Sequence, residues 1–131
     1  MDAPSARWRQ RYLNFSKAVE NLRTAIAIPE PTEVERAGIV HYFELAFELA
    51  WKTLKDYLNE KGYIIASPKE VIKQAFNDHI LPDGHIWLQM LDSRNLIAHT
   101  YDEEHAAEVL HNIRTAYAEQ IILLHQWLSD K

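Results

Sequence analysis

The chain has 131 residues, 47% of them hydrophobic, which suits one domain with a core of its own. A formal net charge of −5 and a pI of about 5.8 argue against a protein that coats nucleic acid, although a local cluster of cations can oppose the global sign. The absence of cysteine rules out disulfide frameworks and thiolate chemistry, and no apolar run of about 18 residues is present to span a membrane.

We therefore expect a single domain over residues 1–131 in a reducing cytoplasm. Residues 1–6 lack the apolar core of a signal peptide and read as a frayed tail. Only 3 glycines and 5 prolines punctuate the chain, which suits a few long helices.

Trp8, Tyr12, Phe15, Val19, Leu22 and Ile26 recur at alternating steps of four and three, the seam of a first helix that Pro29 and Pro31 stop. Thr32 and Glu35 form a capping-box pattern for a second helix, which should run to about Lys61 with Gly62 just past its end. Its seam is Val40, Phe43, Phe47, Ala50, Trp51, Leu54 and Leu58. A second set, Ile39, Tyr42, Leu45, Ala46 and Leu49, widens the apolar stripe. Either this is simply the central helix of a bundle, or it also packs on another chain. Ser67, Pro68 and Glu70 start a short helix through about Asn77. Asp83 is placed to cap a helix carrying Ile86, Trp87, Leu88, Met90 and Leu91. Thr100 or Asp102 should cap the last helix, where Glu103 and Glu104 suit the positive end of the macrodipole and Ala106 to Leu128 carry the seam. The expected fold is all-α, an up-and-down four-helix bundle with one extra short helix.

One segment concentrates chemistry: Arg94-Asn95-Leu96-Ile97-Ala98-His99-Thr100-Tyr101. Arginine grips phosphate with a planar fork, and histidine moves protons near neutral pH. On a continuous helix Arg94 and His99 would diverge by about 140° around the axis. The capping signals at Thr100 and Asp102 place a break near Ala98, so that Arg94 projects from a last turn while His99 sits in the connection. The structural alternative is an arginine that complements a helix C-terminus, a histidine that caps a carbonyl and a tyrosine that packs. Arg94 falls on the seam of Trp87, Leu91 and Ala98 and needs a partner there. Glu44 and Glu48 are candidates by type, but the ladder Glu48-Lys52-Asp56 favours a solvated face instead.

The remaining histidines carry weaker signals. His79 and His85 flank a turn, His105 and His111 lie six apart, and His41 and His125 stand alone. No HExxH, cysteine ligand or glycine-rich phosphate loop is present, so neither a metal nor a cofactor is expected.

The octapeptide, with residues 43–58, 67–72 and 87–91, resembles the HEPN superfamily across nearly the whole chain. Within it, the chain is similar to the branch paired with minimal nucleotidyltransferases, often labelled nucleotidyltransferase substrate-binding protein. The ordered set of four segments is specific, whereas a lone Arg-x4-His is weak. The resemblance implies one HEPN-like helical domain that forms a homodimer, with two Arg-x4-His motifs facing one composite cleft. In toxin members that cleft is a metal-independent endoribonuclease. Carried over, Arg94 would hold the scissile phosphate, His99 would act as general acid and base for attack by a ribose 2′-hydroxyl, and Asn95 would support them. Tyr101 completes the Arg-x4-His-x-Tyr form, whose tyrosine accepts AMP from a cognate minimal nucleotidyltransferase acting as antitoxin. The expected function is thus the ribonuclease toxin of a two-gene toxin–antitoxin module with RNA as substrate. The alternatives are a non-catalytic subunit that presents a nucleotide or substrate to a docked nucleotidyltransferase, and a plain dimerisation bundle.

Overall fold

The computed structural model describes residues 3–99 and 103–131. Among them the chain forms helices α1 (Ala3–Ile26), α2 (Glu33–Glu60), α3 (Pro68–Asn77), α4 (Gly84–His99), α5 (Glu103–Asn112) and α6 (Ala118–Ser129), and no strand. A π-helical turn, Ile113–Tyr117, joins α5 to α6, so these three form one long last helix. The result is the expected all-α bundle: α1, α2, α4 and the last helix, with α3 as the short extra element.

Local chemistry sets the helix ends. Thr32 accepts the backbone N–H of Glu35, whose carboxylate accepts that of Thr32 in return, and Ser67 and Glu70 repeat this reciprocal box at α3. Asp83 Oδ1 accepts the backbone N–H groups of His85 and Ile86 at the start of α4. At the end of α2, Gly62 takes φ +106°, its N–H donates to Asn59, and Tyr63 N–H donates to Leu58. This is the paired closure of a Schellman motif, in which a side chain would be strained. α1 begins at Ala3, inside the stretch expected to fray; Pro4 is tolerated there because first-turn N–H groups have no helical partner.

α2 is the central element, packed against α1, α3, α5 and α6. Phe15 and Leu22 of α1, Phe43, Phe47 and Leu54 of α2, and Trp87 and Met90 of α4 are fully buried with Ile113 and Ile121 of the last helix. The second apolar set on α2 is mostly used within the chain: Ile39 and Ala46 are buried, and only Leu45 stays largely exposed, at 40%. One buried acidic group sits among these contacts. Asp56 faces α1, with Oδ2 3.3 Å from Arg11 Nε.

The last helix is not a plain α-helix. Val109, Ile113, Tyr117 and Ile121 fall at successive steps of four, and each such step drifts about 40° on an α-helix. The π turn takes more residues per turn and so returns Ile113, Tyr117 and Ile121, all buried, to one core-facing line. Thr100 and Asp102, the expected caps of this helix, lie outside the described residues.

Candidate functional site

Arg94 lies on the inward face of α4, in register with the buried Trp87 and Leu91, yet its side chain keeps 25% exposure. Its Nη2 is 3.2 Å from Glu48 Oε1. The guanidinium carbon lies 6.0 Å from the Phe47 ring centroid, within cation–π range. The other oxygen of Glu48 accepts the indole N–H of Trp51 at 3.0 Å. Glu48 is therefore oriented from its own helix before it meets Arg94. Arg94 Nε is buried without a hydrogen-bond partner.

This geometry overturns the solvated ladder of Glu48, Lys52 and Asp56. Glu48 turns to Arg94, Lys52 lies 5.9 Å over the Trp51 ring, and Asp56 is buried against Arg11. The physical reason is rotation: Asp56 and Glu48 flank opposite sides of the exposed strip of α2, so each finds a different neighbouring helix.

Glu44, one turn before Glu48, joins the same cluster. Burial pushes its carboxyl above the ordinary 4.5 and the Glu48 charge adds to this, against the opposing pull of His41 and Arg94. Glu44 therefore holds its proton more readily than an exposed glutamate, chiefly because it is partly buried.

α4 ends one residue past Ala98, close to the expected break. α4 remains helical through His99, which belongs to the last turn and not to the connection. The helical repeat therefore separates positions 94 and 99 by about 140° around the axis. Asn95 is exposed, and position 99 follows it by one turn in register, not in line with position 94. The structure brings together Arg94, Glu44 and Glu48, and does not bring Asn95 to them. Tyr101 lies outside the described residues. Among the described residues, no three His, Cys, Asp or Glu side chains are grouped to hold a metal ion.

Sequence reasoning missed the supports of Arg94. Trp51 and Phe47 were visible only as seam residues, although a tryptophan three residues after a glutamate is placed for the contact it makes. It also missed Tyr117, whose hydroxyl lies 3.0 Å from Ser93 Oγ, next to Arg94 in the chain. Elsewhere, His125 on α6 was set aside as solitary, yet its Nε2 is 2.8 Å from Ser16 Oγ and its ring stacks on Tyr12.

Residues 10–130 match the family described as nucleotidyltransferase substrate binding protein like, and the chain belongs to that family. It is similar to a protein of Haemophilus influenzae named probable ribonuclease HepT, with 30% identity over 95 residues covering 69% of this chain. The match spans 65% of that protein's length. A crystal structure from Thermus thermophilus superposes with a TM-score of 0.77 at 34% identity, covering 88% of this chain and 97% of that one. That likeness supports the helical bundle.

Proposed function

We propose that this chain is a HEPN toxin of a two-gene module: a metal-independent endoribonuclease whose site is completed between two copies. The observation that carries this reading is Arg94. An arginine that keeps 25% exposure and is held through Nη2 by one partly exposed carboxylate has further guanidinium donors to offer an anion. A phosphodiester offers the matching oxygens. The similarity to a protein named as a probable ribonuclease favours RNA as the source of that phosphate.

In this reading Arg94 grips the scissile phosphate and stabilises the charge that builds on its oxygens. His99 removes the proton of the ribose 2′-hydroxyl, which attacks phosphorus. The bond to the 5′ oxygen breaks, and protonated His99 returns the proton to that oxygen, leaving a cyclic phosphate, a free 5′-hydroxyl and a neutral histidine. Because the nucleophile is internal to the substrate, no metal-bound water is needed. Asn95, one turn before position 99, contacts the RNA backbone beside His99. Glu48 fixes Arg94, and Glu44 offsets its charge when no RNA is bound. Since one α4 cannot turn both Arg94 and His99 to one phosphate, the second copy supplies the missing group. Tyr101 is the site at which a cognate minimal nucleotidyltransferase adds AMP, placing charge and bulk two residues from His99. The domain spans residues 1–131 and works in the cytoplasm.

The family's own description favours a second reading, a non-catalytic subunit that presents substrate to a docked nucleotidyltransferase. Expression without the partner, beside the His99→Ala form, separates the two. Growth arrest with RNA fragments from the parent alone supports the ribonuclease. Equal growth and intact RNA from both, at matched soluble levels, overturns it in favour of the docking subunit.

A further inference from the structure

We infer that Tyr117, in the π turn of the last helix, is a positioning residue for Arg94; this inference rests on the ribonuclease reading above. Tyr117 is buried, and its ring stacks on Phe43 with centroids 5.5 Å apart. Its hydroxyl meets Ser93 Oγ at 3.0 Å, and Ser93 immediately precedes Arg94. A second route reaches the same guanidinium: Phe43 packs on Phe47 at 6.2 Å, and Phe47 carries Arg94 at 6.0 Å. Tyr117 therefore touches both supports of Arg94, the helix that bears it and the ring stack beneath it.

The π turn is what delivers the hydroxyl. Ala118 N–H donates to Ile113 five residues back, widening the helix where it faces α4. Arg114, within the turn, donates to the Ile28 carbonyl and so anchors this widened segment to the loop after α1. The closest packing of α4 is with α3, the π turn and α5. Since α3 packs near its start, as the Gly84–Phe76 approach indicates, the π turn holds the half that carries Arg94. A π turn interrupts helical regularity and is frequent at functional sites. Here it aims a tyrosine at the residue beside the phosphate-gripping arginine.

The test compares steady-state cleavage of a single-stranded RNA by the parent, Tyr117→Phe, Arg94→Lys and the double variant, below the melting temperature of each. Tyr12→Phe serves as control, because it too removes a tyrosine hydroxyl bond, to the His125 carbonyl, on a different helix pair. We expect Tyr117→Phe to lower kcat about tenfold with KM unchanged, the scale of one buried hydrogen bond whose loss is felt through the aim of Arg94 in the transition state. Tyr12→Phe should leave kcat within twofold. In the Arg94→Lys background, Tyr117→Phe should cost under twofold, because the geometry it serves is already gone. An unchanged kcat for Tyr117→Phe, or an equal tenfold loss in both backgrounds, overturns the inference. Absence of cleavage by the parent overturns the ribonuclease reading itself, and with it this role for Tyr117.

Discussion

The pairing of Glu48 with Arg94 can be tested apart from any activity, by a double-mutant cycle on folding stability. Glu48→Gln removes the charge but keeps an oxygen that can accept from Trp51. Arg94→Met removes the cation but keeps an apolar stem over Phe47. The two side chains are 25% and 30% exposed, so the pair lies between a surface ion pair and a buried one. A two-pronged clasp is excluded because the second Glu48 oxygen is committed to Trp51 at 3.0 Å. One contact at 3.2 Å in this setting should be worth about 1 kcal/mol of coupling, the upper end of the exposed range. Glu48→Gln alone should then lower the melting temperature by about 4 °C for a chain of this size. Arg94→Met should cost somewhat more, because it leaves Glu44 and Glu48 without their shared cation. Urea unfolding of all four proteins at matched concentration measures the coupling directly. Repeating it at about 0.05 M and about 0.5 M salt should weaken the coupling only in part, since screening acts mainly on exposed charges. A coupling below about 0.3 kcal/mol at low salt would refute the pairing and return Glu48 to solvent.

Two further outcomes follow from the fold. Burial lowers the His125 ring below its ordinary 6.5, Arg23 adding to this and Glu20 opposing it. The unfolded chain therefore binds the proton more readily, so this contribution to stability is whole above about pH 6.5 and is lost as pH falls through the lower folded value. Melting between pH 7.5 and 5 should fall more steeply for the parent than for His125→Gln; parallel curves would discount the effect. Gly62→Ala should lose about 1 kcal/mol in urea unfolding, because φ +106° is open to glycine and strained for alanine, while open space around the position removes any packing explanation. An unchanged midpoint would show that the closure of α2 relaxes at no cost.

What was legible in the sequence depended on how local its cause was. Thr32, Ser67, Asp83 and Gly62 act within a few residues of themselves, and each does what its spacing announced. The choice made by Glu48 is not local. Its spacing to Lys52 and Asp56 suits a surface ladder, and only the rotation of α2 against α1 and α4 hands Asp56 to Arg11 and Glu48 to Arg94. The π turn falls between these cases. Its signal was present in the three steps of four from Val109 to Ile121, but that rhythm also suits a broad α-helical face, and it was read as one. Ser16 and His125 lie 109 residues apart, and no spacing argument can join them.

The geometry of α4 leads to the sharpest test of the two-chain site. Positions 94 and 99 lie on one continuous helix and face about 140° apart. Turning both to one phosphate within a chain would require α4 to unwind after Arg94. The Glu48 ion pair, the Phe47 contact and the Ser93–Tyr117 hydrogen bond all hold the helix and its arginine against that change. A second copy supplying His99 needs no unwinding. In a two-fold dimer each composite site would then take Arg94 from one chain and His99 from the other. Arg94→Ala and His99→Ala would each be inactive alone, since every site lacks one partner. Mixed after unfolding and refolding together, half of the dimers would contain both variants, and each of those would keep one intact site of its two. Cleavage should therefore return to about a quarter of the parent's rate on random reassortment. Recovery of activity on mixing has no source if both groups of a site come from one chain. Persistent inactivity of a mixture in which mixed dimers are demonstrated would place Arg94 and His99 of a site in the same copy and require α4 to open.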